Sequence, residues 1–121
     1  MTAQNSKHIK SSDLLPRPRI TPNHGERVSY PEMQNGRASI VIPAYPGLAI
    51  GQTIRWSVRG YGTLLGEIAV ESLESQYNAV LNGIVFRHEI VLATYRVLQD
   101  EHDELVSDHS FYVVDDRPAD A

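Results

Sequence analysis

The segment Thr53-Ile-Arg-Trp-Ser-Val-Arg-Gly60 alternates apolar and polar residues without a break. Ile54, Trp56 and Val58 therefore share one side of an extended chain, and Thr53, Arg55, Ser57 and Arg59 the other. That period of two is the mark of a half-buried β-strand, and it recurs along most of the sequence. Ala38, Ile40 and Ile42 oppose Arg37, Ser39 and Val41; Ile68 and Val70 oppose Glu67, Ala69 and Glu71. Ile84, Phe86, His88 and Ile90 oppose Val85, Arg87, Glu89 and Val91, which predicts a further strand with His88 facing inward. Ala93 to Gln99 and Leu105 to Val114, separated by the charged Asp100 to Glu104, read as a hairpin with a solvated tip. Phe86, Ile90, Ala93 and Val97 also fit an amphipathic helix over Phe86 to Leu98, but the β-branched residues and aromatics of this region favour a pleated surface.

Turn chemistry separates these runs. Pro46 fixes the φ wanted at the second position of a type II turn, and Gly47 accepts the positive φ of the third. Leu48 and Ile50 are expected to continue into the core beyond it. Gly60, Gly62 and Gly66 surround Tyr61 and predict a loop leading into a strand, and Asn82-Gly83 is a strong turn signal. Seven or so short strands at spacings of about ten residues point to a β-sandwich. Before Arg37 the chain is polar and interrupted by Pro16, Pro18, Pro22 and Pro31, with no sustained apolar period. Residues 1–35 are thus expected to be an arm, 36–116 the sandwich and 117–121 a tail, with Asn35-Gly36 at the boundary.

The chain has 121 residues and no cysteine, so one core must stand on packing, without disulfides, a thiolate zinc site or a cysteine nucleophile. No apolar run is long enough for a signal-peptide core or a bilayer span. The expected location is cytoplasmic, or outside the cell by export without a cleaved signal. Of 11 basic residues, five lie in positions 1–30 beside Asp13 and Glu26, leaving six against 13 acidic residues in the remainder. An acidic body repels phosphate backbones, which argues against nucleic acid as a partner.

The run IVIPAYPGLAIGQTIRWSVRG, followed later by ATYRVLQDEHDELVSDHSFYVV, resembles the bacterial immunoglobulin-like repeats of large secreted or surface-attached proteins. The most specific part is Tyr45-Pro46-Gly47-Leu48-Ala49-Ile50-Gly51 with Trp56; Tyr95-Arg96-Val97 adds to it. The resemblance spans about Gly36 to Asp116 and implies an immunoglobulin-like antiparallel sandwich in a binding or adhesin-like role.

Candidate chemistry is sparse. Gly60-Tyr61-Gly62 with Gly66 fails the spacing of a phosphate loop, and no Gly-x-Ser-x-Gly elbow is present. Asp100 to Glu104, with Asp108 and His109, offers carboxylates but not the spacing or glycine of a calcium loop. No catalytic residue, metal or cofactor is expected. Tyr61 and Tyr77 are placed in loops, where exposed rings would suit a sugar. The polar row Thr53, Arg55, Ser57 and Arg59 is the expected contact surface. The reading is a non-catalytic protein-interaction module, acting through a sheet edge, loops or the arm, with homodimerisation as a corollary. A glycan- or cell-surface-binding effector is the alternative, and a small hydrolase ranks third.

Overall fold

A computed structural model describes residues 14–99 and 104–119. Nine strands follow in order: β1 (Arg19–Thr21), β2 (Arg27–Ser29), β3 (Ser39–Pro43), β4 (Thr53–Gly60), β5 (Gly62–Ala69), β6 (Gln76–Val80), β7 (Ile90–Leu98), β8 (Leu105–Val106) and β9 (Ser110–Asp115). They form two sheets, one ordered β1-β3-β6 and the other β2-β9-β7-β4-β5, with β8 also paired to β7. The chain changes sheet between β1 and β2, β2 and β3, β3 and β4, β5 and β6, and β6 and β7, so the sheets are stitched face to face as an immunoglobulin-like β-sandwich. All pairings between these strands are antiparallel except that of β2 with β9.

Alternation builds the core as expected. Ile54, Trp56 and Val58 of β4 stand opposite Val97, Tyr95 and Ala93 of β7, and all six are buried. Ile40 and Ile42 of β3 and Tyr77 of β6 contribute from the facing sheet. The Tyr45 to Leu48 turn closes with a 3.1 Å bond from the Leu48 amide to the Tyr45 carbonyl, and Gly47 takes φ +87°. A second turn follows at once, with Gly51 at φ +100°, and it directs Ile50 into solvent. Ile50 therefore does not continue into the core.

Two expectations about whole segments also need correction. Residues 1–35 are not an arm throughout: from Leu15 onward the described part belongs to the sandwich, while 1–13 lie outside the described residues. β1 pairs with β3 and β2 with β9, and Leu15, Ile20, Val28 and Met33 are buried in the common core. The head shows no apolar period because each three-residue strand supplies one inward side chain between polar turns. Asn35 and Gly36 do form a turn, at φ 61° and 77°, but the chain on both sides of it belongs to one core.

The second correction concerns Ile84 to Glu89. Gly83–Arg87 is a short 3-10 helix, capped by the Asn82 side chain, whose Oδ1 accepts a 3.0 Å bond from the Ile84 amide. Adjacent Val85 and Phe86 are both buried, and the Val85 amide donates back to the Asn82 carbonyl at 3.4 Å, the three-residue spacing of a 3-10 turn. His88 is exposed just beyond, its Nδ1 accepting from the Ile90 amide at 3.3 Å. Ile90–Leu98 is strand, not helix.

Candidate functional site

The outer face of the larger sheet gathers the polar row singled out in the sequence. Because Ile54, Trp56 and Val58 are buried, Thr53, Arg55, Ser57 and Arg59 all point away from the core. Pairing then sets their neighbours. Arg55 stands between Glu67 of β5 and Arg96 of β7; Ser57 between Leu65 and Thr94; Arg59 between Thr63 and Leu92.

Two arginines directly opposite each other repel, and each is neutralised from its far side. Arg55 donates to Glu67 at 2.9 Å, and Arg96 to Glu104 at 3.2 Å. In the next row the Ser57 and Thr94 hydroxyls lie 3.1 Å apart. These two rows line a groove of about 480 Å³, walled by Leu65 and continuing into a smaller hollow of about 200 Å³ beside Arg59, Leu92 and His109. Arg59 has no carboxylate partner among the described residues.

An apolar field borders the groove. Leu92 faces Phe111, and Ile90 faces Val113, on adjoining strands β7 and β9. Phe111 is 62% exposed and stacks on His109 at 6.3 Å, while Leu65 on the other side is 72% exposed. Charge is more contained at the border of β2 and β9. Arg27 holds Asp115 in a fork of two bonds, 2.8 and 2.6 Å, and the bond to Arg27 keeps the Asp115 carboxyl below its ordinary range. Asp108 is lowered as well, first by the His109 amide and then by Arg17.

The two candidate tyrosines part company. Tyr61 is exposed at the β4–β5 hairpin, with the Arg87 guanidinium 5.9 Å from its ring centroid. Tyr77 is buried in β6 of the other sheet, donating to the Ser72 carbonyl at 2.6 Å and accepting from the Glu74 amide at 3.1 Å. Its burial removes it from any exposed platform, because the stretch around it forms a strand where a loop was expected. Among the described residues no group of three or more His, Asp or Glu is placed to hold a metal ion, and no helix is long and apolar enough to cross a membrane. Of the Asp100 to Glu104 segment, 100–103 lie outside the described residues and Glu104 is the partner of Arg96.

Leu65, Glu67, Leu92, Thr94, Arg96 and Phe111 join the face without having been singled out as contact residues. Alternation does carry the signal: inward Ala93, Tyr95 and Val97 require outward Leu92, Thr94 and Arg96. Which strands adjoin β4 is not written in any one strand. The chain matches no protein-family model, no curated protein and no solved structure.

Proposed function

We propose that this domain is a non-catalytic protein-binding module that uses the outer face of the β2-β9-β7-β4-β5 sheet. The observation that carries the reading is the exposure there of Leu65, Ile90, Phe111 and Val113 beside Arg55, Arg59 and Arg96. A lone exposed apolar side chain is ordinary, whereas several on adjoining strands, next to arginines, have the composition of a binding surface. The groove gives a partner side chain somewhere to seat, and Arg59 offers a charge not yet committed to a carboxylate of the described residues. The resemblance of Tyr45 to Gly51 with Trp56 to bacterial immunoglobulin-like repeats supports a binding role.

Site-specific photocrosslinking tests this. A photoreactive residue at Phe111 or Arg59 is expected to give one discrete adduct in extracts of the source cells, and the same group at Asn78, exposed on the opposite sheet, none. Equal labelling from both faces, or none from either, would overturn the proposal.

A further inference from the structure

The two sheets end in strands that differ greatly in how well their free edges are protected. β1 and β2 have three residues each, with prolines before and after β1, and β6 has five. β5 has eight, runs beside β4 in unbroken register from Gly62 to Ala69, and pairs with no other strand of the described residues. It contains no proline, lysine or arginine, and its one charge is Glu67. Natural edges are shortened, bulged or charged to stop unwanted pairing; of these devices β5 has only the single charge of Glu67.

We propose that β5 pairs antiparallel with the β5 of a second copy, about a twofold axis at Leu65, joining the larger sheets of two molecules into one. Any extended peptide would satisfy the free backbone groups. The side chains favour a second copy. In this register Leu65, the most exposed large hydrophobic residue among the described residues at 72%, faces its own counterpart on the outer surface. Thr63 then faces the partner's Glu67. Thr63 is also the neighbour of Arg59 within its own sheet, so the order across the junction is Arg59, Thr63, then Glu67 of the partner and Arg55 of the partner. Arg59, which has no carboxylate partner among the described residues of its own chain, thereby approaches one, twice over by symmetry. Because the contact is isologous it closes at two molecules. It shares Leu65, Arg55 and Arg59 with the face described above but leaves Phe111, Ile90 and Val113 outside the contact, so a partner crosslinked from Phe111 and a dimer lost with Leu65→Lys are separate outcomes.

The absence of cysteine makes the register testable directly. Facing Cβ atoms on paired strands lie about 4.5–5.5 Å apart, within reach of a slightly adjusted disulfide. Light scattering on the full chain is expected to give twice 13.5 kDa. Leu65→Cys is expected to form a disulfide-linked dimer on mild oxidation, and Ala69→Cys, whose copies lie far apart in this register, is not. Leu65→Lys, at an exposed position and therefore expected to keep the wild-type circular dichroism spectrum, should raise the dimer Kd about tenfold or more by opposing two ammonium groups. Glu67→Arg should weaken the dimer similarly, and adding Arg59→Glu should restore it. A monomeric mass at every concentration, assembly beyond two copies, a Kd unmoved by Leu65→Lys, or equal crosslinking from both cysteine variants would each overturn the proposal.

Discussion

Gly66 lacks a side chain because the space is taken. A Cβ there would fall inside the indole of Trp56, which lies against the β5 backbone. Gly66→Ala is therefore expected to cost about 1–3 kcal/mol of stability through forced displacement of the ring. Urea unfolding followed by the emission of Trp56, the sole tryptophan, checks this; an unchanged midpoint would show that the strand moves aside freely. Gln52 works differently. Buried below the Tyr45 turn, it accepts from the Tyr45 hydroxyl at 2.7 Å and the Ala49 amide at 3.1 Å, and donates to the Gly47 carbonyl at 3.0 Å. Nothing in its neighbourhood of the sequence announces that role, since three of its partners belong to a loop whose shape is set by two successive glycine turns.

Tyrosine ionisation gives a second prediction at this scale. Burial pushes the Tyr45 hydroxyl from 10.0 up to about 12, and burial raises that of buried Tyr95 as well. The Tyr95 hydroxyl donates to the Pro16 carbonyl at 2.6 Å, so losing its proton also loses that bond. The unfolded chain releases these protons near pH 10, before the folded one does, and the folded state then binds more protons. Stability is expected to hold below pH 10 and to fall as pH rises from there through about 12. Urea midpoints across that range should show the decline, and Tyr45→Phe with Tyr95→Phe should flatten it.

Among elements, β3, β4, β7 and β9 were largely legible, because each presents two or more buried residues at period two, whereas β6, with Tyr77 alone buried, stands where a loop was expected. β1 and β2 were not: a strand of three residues with one buried side chain has no period to detect. Their contribution is nonetheless large. A fragment of residues 36–121 would lose the buried Leu15, Ile20, Val28 and Met33, together with the 3.2 Å bond from the Ile20 amide to the Tyr112 hydroxyl. At about 1.5–3 kcal/mol for each large side chain, that loss consumes most or all of the stability of an ordinary domain. The fragment is expected to lack dispersed amide resonances in a proton–nitrogen spectrum, and Ile20→Ala in the full chain to cost about 2–5 kcal/mol by urea unfolding. A well-dispersed fragment spectrum would return the head to the status of an arm. The 3-10 helix at Gly83–Arg87 escaped for another reason: Val85 and Phe86 satisfy alternation with their neighbours on paper, and only the capping Asn82 favours a helical turn over a strand.

At the scale of the molecule, the outer face should separate binding from folding. Phe111→Ser and Arg59→Glu alter exposed side chains that support no core contact, so each is expected to shift stability by less than about 0.5 kcal/mol. Both should abolish a crosslinked adduct formed from a photoreactive residue at a neighbouring position of the face, such as Leu92. Loss of the adduct without loss of the fold is the result that the binding reading requires.

The sequence by itself determined the all-β class, the Pro46-Gly47 turn and the outward direction of Thr53, Arg55, Ser57 and Arg59, because turn geometry and strand period are local properties. Tertiary structure alone decided that the head is part of the sandwich, that Tyr77 is buried, and that Arg55 meets Arg96 while Arg59 lies beside Leu92 and Thr63. Strand order and register arise from packing between segments distant in sequence, and a period of two fixes which face a residue takes without fixing what stands next to it.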